Sequence, residues 1–133
     1  MHKVTPLNEE YIYEGRVAIS QTDLDGVITF ANRKFSEISG YLVNELIDTN
    51  HNILKHPDVK QEIFDKMHSA LSNGQVWNGM IKNLRKDGKF YWVSMEIAPI
   101  INDKDEITGY ISVSKPASQK NILENKKNIL KTA

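Results

Sequence analysis

The chain of 133 residues contains no cysteine. This absence excludes disulfide bonds, thiolate-held zinc, iron-sulfur clusters and a cysteinyl bond to a chromophore. A reducing environment fits such a chain best, so the sequence favours a cytoplasmic location.

The sequence also lacks net charge and long hydrophobic runs. Lysine plus arginine and aspartate plus glutamate each number 17, so no net field favours nucleic acid or an anionic membrane. No run approaches the length of a membrane span, and the N-terminus lacks the regions of a signal peptide. We therefore predict no nucleic-acid partner and no membrane insertion of this segment, which could still be the cytosolic part of a membrane-associated receptor.

Motifs of catalysis are missing as well. There is no Ser-His-Asp order, paired carboxylate site, Walker loop or metalloprotease motif. The prediction is a non-enzymatic protein with no catalytic residues and no metal site.

The first half of the chain predicts a hairpin and a short helix. Two runs rich in β-branched residues, 17–23 and 27–30, flank a turn signal at Asp25-Gly26. Asn32 is expected to cap a helix that ends at Gly40.

A longer helix follows a polar loop at 48–58. From Val59 the apolar residues recur at steps of three and four until Asn73-Gly74, which predicts an amphipathic helix. Another short helical turn is expected at 45–47.

Three further strands are predicted at 77–84, 90–101 and 107–115. In the middle one, apolar and mixed residues alternate, so one face of the sheet is expected to be covered. Together the elements predict an α+β domain with a five-stranded antiparallel sheet and short helices across one face.

The two ends differ from the predicted domain at 15–116. Residues 1–14 show no clear periodicity and are interpreted as an N-terminal cap or arm. Residues 117–133 repeat Lys-Asn-Ile-Leu at a spacing of seven, which suits either a signalling helix or a frayed tail.

The run His51-Asn52-Ile53-Leu54-Lys55-His56-Pro57-Asp58 is the most informative part of the chain. Pro57 stops helix formation and biases His56 toward an extended conformation, so the polar side chains could form a ligand wall. The same residue types also occur in ordinary turns that begin a helix. His51 is expected to be solvated or to brace this loop.

A second group of candidate ligand contacts lies on the strand that begins at Trp77. By the period-two rule Trp77, Gly79, Ile81 and Asn83 share one face, giving an aromatic plane, a gap, an apolar wall and an amide. Trp77 could stack on a planar ring, Gly79 could let that ring approach the backbone, and Asn83 could bind its polar edge. The alternative is an ordinary core tryptophan and a strand-end asparagine.

The order of these elements resembles the PAS sensor domain family. The resemblance rests on Asp25-Gly26, Asn32, Gly40-Tyr41 and Lys86-Asp87-Gly88 before an aromatic strand, and it covers about residues 15–116. Further residues resemble the PAS domain of bacterial aerotaxis receptors: His51-Asn52, Lys55-His56-Pro57-Asp58, Trp77-Asn78-Gly79, Lys82-Asn83 and Tyr91-Trp92-Val93.

The resemblance implies a domain that binds FAD non-covalently and reports redox or oxygen status to a downstream chemotaxis or other signalling module. It implies cofactor contacts at His56, Asp58 and Trp77, and Lys55 stands where such domains commonly carry arginine. Lysine keeps the charge but loses the bidentate fork. Asn83 and Asn32 complete the candidate cofactor-binding residues.

Two other readings remain open. His68, on the long helix, could ligate haem, as a histidine on this helix does in some PAS domains. The domain could instead be a cofactor-free PAS module that forms a homodimer.

Overall fold

The computed structural model describes residues 3–117 and confirms the α+β fold with a five-stranded antiparallel sheet. The strands are β1 (Ala18–Thr22), β2 (Ile28–Ala31), β3 (Trp77–Leu84), β4 (Phe90–Ile101) and β5 (Ile107–Pro116). Their spatial order is β2-β1-β5-β4-β3, so the first hairpin joins the last three strands through the β1–β5 pair.

The helices lie between β2 and β3 in the chain. They are α1 (Arg33–Ser39), α2 (Val43–Leu46), a 3-10 helix (His51–Leu54) and α3 (Gln61–Ser72). The longest helix therefore begins two residues later than the sequence pattern suggested. The cause is a turn after Pro57, in which the Val59 amide donates to the His56 carbonyl at 3.1 Å, followed by extended backbone at Lys60.

The predicted turn and cap residues act as expected. Gly26 adopts φ 83° in the β1–β2 turn, a conformation that glycine accommodates without strain. The Asn32 side chain accepts from the Phe35 amide at 2.9 Å, and Gly40 ends the helix with φ 79°.

The core lies between the helices and one face of the sheet. Along β4 the side chains of Tyr91, Val93, Met95 and Ile97 are buried, while the residues between them are more exposed. This confirms the predicted alternation, and the buried face is called the inner face below.

The N-terminal segment pairs with the start of β4. The Phe90 amide donates to the Glu9 carbonyl at 3.0 Å, and the Tyr11 amide donates to the Phe90 carbonyl at 2.8 Å. The Tyr13 hydroxyl donates to the Ser114 carbonyl at 2.9 Å. These bonds attach the segment to two strands of the sheet; the division of the chain at 14 and 116 stays a prediction.

Within residues 3–117 no helix is both long and apolar enough to cross a membrane. Most of the tail for which a signalling helix was predicted, residues 118–133, lies outside the described residues.

Candidate functional site

A cavity of about 270 Å³ lies between the inner face of the sheet and the helices. The sheet supplies one wall, and α3 supplies an opposite wall with Phe64, Met67 and Leu71. The segment from Asn50 to Lys55 closes a third side. The sheet wall consists of both apolar and polar residues: Ser20, Ile81, Asn83, Met95, Ile97 and Ser112.

The mouth of the cavity is bordered by exposed residues. Leu24 and Asp25 come from the β1–β2 turn, Asn52 from the 3-10 helix, and His68 from α3. The turn is tied to the helical side because the Asn50 side chain donates to the Asp25 carbonyl at 3.0 Å. The mouth is thus formed by three separate elements, two of which this hydrogen bond joins.

His51 lies against one polar part of the cavity wall. Its Nε2 is 3.5 Å from the Ser20 hydroxyl, and its ring meets Phe35 edge-on with centroids 5.7 Å apart. Burial lowers the pKa of His51 to about 4, so the ring is neutral at pH 7. His51 is therefore only partly exposed, because the 3-10 helix turns the ring toward β1. This position fits the expectation that His51 braces the loop better than the expectation of a solvated ring.

Lys55 and Asn83 meet at the other edge of the cavity. The two residues form an isolated antiparallel bridge, and both line the cavity. The Lys55 ammonium lies 4.3 Å from the centre of the Phe64 ring, and no carboxylate pairs with it among the described residues. Asn83 is buried and lies opposite Tyr91 on β4. Burial raises the pKa of Tyr91, and the Asn83 side chain opposes that rise.

His56 and Asp58 are not part of the cavity wall. Because side chains alternate along extended backbone, His56 points to the side of β3 opposite Lys55. Its buried ring meets Phe90 edge-on at 6.3 Å, and its Nδ1 accepts from the Asp58 amide at 3.1 Å. The Lys82 ammonium donates to the Asp58 carboxylate at 3.0 Å.

The charges in this outer cluster influence one another. The hydrogen bond from Lys82 holds the pKa of the Asp58 carboxyl below its usual value. Burial, with the charge of Lys82, lowers the pKa of His56, and Asp58 opposes that effect. His56 and Asp58, both predicted to contact the cofactor, therefore interact with each other on the outer side of β3. Lys82 belongs to the same cluster.

Trp77 also lies outside the cavity wall. Its indole crosses the space above Gly79, where an added Cβ would stand 2.5 Å from a ring carbon of Trp77. The gap that the sequence assigned to a ligand ring is therefore filled by the neighbouring tryptophan. Trp77 is half-buried and packs against the hydrophobic core.

Asn32 and His68 have different positions again. The Asn32 side chain accepts from the amides of Ile19 and Phe35 and donates to the Val17 carbonyl, away from the cavity wall. His68 is exposed and touches the cavity only at its mouth.

The sequence reasoning missed two serines of the sheet wall. Ser20 and Ser112 face each other across the β1–β5 pair, and both are buried. Their signal in the sequence was a small polar residue at an inward position, where a buried strand normally carries an apolar one. That signal becomes readable only once the inward face of each strand is known.

Comparison with known proteins identifies the family of the chain. A family described as "PAS fold" matches residues 28–114, and the chain belongs to this family. The expected PAS identity is confirmed.

Two relatives are sensory or regulatory proteins of bacteria. The chain is 38% identical over 104 residues to the aerotaxis receptor of Escherichia coli K12, covering 78% of this chain and 20% of the receptor. It is 31% identical over 115 residues to the nitrogen fixation regulatory protein of Klebsiella pneumoniae, covering 86% of this chain and 23% of that protein. The chain thus spans about a fifth of the length of these relatives.

A solved structure supports the same assignment. A light-oxygen-voltage domain studied with a flavin analogue superposes with a TM-score of 0.74 at 25% identity, covering 84% of this chain and 87% of that one. The chain is a PAS sensor domain related to aerotaxis receptors and to light-oxygen-voltage domains.

Proposed function

We propose that the cavity binds a flavin nucleotide, FAD, without a covalent bond, and that the domain reports redox or oxygen status to a downstream signalling module. The observation that carries the proposal is the cavity with apolar walls and polar groups on both sides. The similarity of the chain to an aerotaxis receptor and to a light-oxygen-voltage domain studied with a flavin analogue supports it.

The residues of the cavity suit a flat ring with polar edges. Ile81, Met95 and Ile97 offer apolar contact, and Asn83 offers both a donor and an acceptor. The buried Ser112 hydroxyl has no hydrogen-bond partner among the described residues, which suits a ligand with polar atoms. Pockets for whole small molecules measure roughly 300–1,000 Å³, so a cavity of about 270 Å³ suits the ring while the nucleotide part extends through the mouth.

Lys55 is the residue proposed to hold the anionic part of the ligand. Its ammonium lies at the cavity and has no carboxylate partner in the described part of the chain. A lysine contacts phosphate as a point charge rather than as a bidentate fork.

His56 and Asp58 are proposed to serve the site indirectly. The edge contact of His56 with Phe90 and the ion pair of Asp58 with Lys82 hold the chain at residues 56–58. This fixes the neighbouring Lys55 on the cavity side of β3. Trp77 and Asn32 are proposed to support the fold around the site, through the core and the α1 cap.

A signal could leave the cavity through the start of β4. A bound flavin supplies a ring whose charge and protonation change on reduction. Asn83 touches the cavity and lies opposite Tyr91 on β4, whose neighbour Phe90 pairs with the N-terminal segment. A different preferred orientation of the Asn83 amide would thereby alter the attachment of residues 9–11, which needs only a few kcal/mol between two states.

Absorbance of the purified full chain is the direct test. Visible bands of oxidised flavin that bleach with dithionite are expected, and chromatography of the released cofactor distinguishes FAD from FMN. A Soret band instead would support haem, although the exposed position of His68 does not favour a haem ligand. Reconstitution with excess FAD or FMN that leaves the chain colourless would contradict the proposal and favour the cofactor-free homodimer.

Non-enzymatic signalling also stays a prediction. Steady oxidation of reduced nicotinamide by the flavin-loaded chain would contradict it.

A further inference from the structure

The Ser112 hydroxyl is a buried polar group without a partner. Ser112 is 7% exposed, and its Oγ has no hydrogen-bond partner among the described residues. An unsatisfied buried hydroxyl is destabilising, and native structures contain few such groups. Its presence therefore needs a physical reason.

The sheet aims this hydroxyl at the cavity. Ser112 lies on β5 between Ser20 of β1 and Ile97 of β4, and all three line the cavity. Ser20 has His51 within 3.5 Å, whereas Ile97 offers only apolar contact. Ser112 thus stands where the polar part of the wall meets the apolar part.

Ser114 provides an internal comparison on the same strand and face. It is 3% exposed and does not line the cavity. Ser112, which does line it, is therefore the one of these two serines that is placed to meet a ligand.

Ser112 and Asn83 lie at different ends of the cavity. They lie on β5 and β3 with β4 between them, which separates them by about 10 Å across the sheet. Ser112 pairs with Ile97 and Asn83 pairs with Tyr91, six residues apart on β4, which adds roughly 20 Å along the strand. A ligand that meets Ser112 therefore does so at the end of the cavity away from Asn83.

We propose that Ser112 is a direct ligand contact, whose hydroxyl hydrogen-bonds a polar atom of the flavin ring at the end of the cavity away from Asn83. This inference rests on the proposed flavin function and adds to it a specific residue and a direction of binding. His51 stands beside this contact and holds the Ser20 hydroxyl. The ligand thus completes the hydrogen bonding of the β5 wall.

Replacement of Ser112 separates a ligand contact from a structural role. Ser112→Ala removes an unpaired hydroxyl, so the ligand-free protein should unfold at the same or a higher urea concentration than wild type. Its affinity for FAD should fall roughly three- to ten-fold, as expected for one lost hydrogen bond, and the visible bands of the bound flavin should shift. Ser112→Thr restores a hydroxyl and should recover part of the affinity.

Ser114→Ala is the matched control and should leave the affinity and the flavin spectrum unchanged. A Ser112→Ala chain that binds FAD with wild-type affinity and spectrum would overturn the inference alone. So would a loss of stability in ligand-free Ser112→Ala with no change in binding. A wild-type chain that takes up neither FAD nor FMN would overturn the proposed function and this inference with it.

Discussion

The inner and outer sides of β3 each have a lysine beside a phenylalanine ring, but the two lysines have different surroundings. On the inner side, Lys55 lies 4.3 Å from the Phe64 ring; on the outer side, Lys82 lies 4.4 Å from the Phe90 ring. Lys82 also pairs with Asp58 at 3.0 Å, whereas Lys55 has no carboxylate partner among the described residues. Lys82 is thus already paired with a carboxylate, whereas Lys55 remains available for a ligand.

The histidines follow the same division. His51 faces the cavity beside Ser20, and His56 packs on the outer side against Phe90. Residues of one short sequence motif therefore have separate roles, because alternate residues of an extended chain point to opposite sides. If the division holds, variants of the inner lysine should change ligand binding, and variants of the outer residues should leave binding largely unchanged.

The largest expected effect is a pH dependence of stability that arises from the protonation of His51. Its pKa is about 4 in the folded chain against an ordinary 6.5, so the unfolded chain takes up a proton first as the pH falls. The free energy of unfolding should therefore decrease between pH 6.5 and 4, by up to about 3 kcal/mol from this group, and no further below that range. His56, whose pKa is also lowered, adds in the same direction.

Urea unfolding at a series of pH values measures this effect. His51→Gln should flatten the pH dependence, and the exposed His68→Gln should retain it. Other titratable groups of the cavity wall, Asp25, Lys55, His68 and Tyr110, are present in both the wild type and the His51 variant. An unchanged pH dependence in His51→Gln would contradict the assignment.

A smaller loss of stability is expected from His56→Ala. The change removes a buried ring beside Phe90 and the acceptor of the Asp58 amide, so the free energy of unfolding should fall by about 2 kcal/mol. The spectrum of bound flavin should stay the same because His56 does not line the cavity. Normal stability combined with a shifted flavin spectrum would show direct contact and break the division into inner and outer roles.

The two lysines give a matched pair for ligand binding. Lys55→Met keeps an apolar stem on Phe64 but removes the charge, so affinity for FAD should fall about ten-fold or more. Lys82→Met, with the same change on the outer side, should weaken binding much less. Flavin fluorescence titration compares them, and equal losses would refute the proposed role of Lys55. Lys55→Arg should retain binding, since the charge is kept.

The smallest effect is expected from Asp58→Asn. The carboxylate is exposed, and exposed ion pairs contribute little to stability. The urea midpoint should decrease only slightly at low salt, and the difference should shrink as salt is added. A large, salt-independent loss of FAD affinity would instead indicate that Asp58 contacts the ligand.

Local sequence signals were sufficient for most of the fold. Asn32 and Gly40 mark the ends of a helix because capping depends on residues within one turn. The alternation in β4 indicates its buried face because side chains of a strand have a period of two. The start of α3 was misplaced because Pro57 favours either a helix start or a turn, and the turn occurs.

The candidate site was less predictable. Lys55 and Asn83 both line the cavity, but the sequence could not show that His56 and Asp58 lie on the other side of the same strand. Trp77 and Gly79 share a face as expected, yet their contact with each other removes the expected gap.

The sequence by itself determined the elements, their order and the PAS family, since periodicity, caps and turns act over a few residues. Only the tertiary structure decided that Ser20, His51 and Ser112 share one cavity, because these residues lie far apart in the chain and meet through the β1–β5 pair and the 3-10 helix. The single bridge between Lys55 and Asn83 likewise decides which side each residue of the loop faces. A shift of this pairing by one position would turn Lys55 to the outer side and His56 to the inner side.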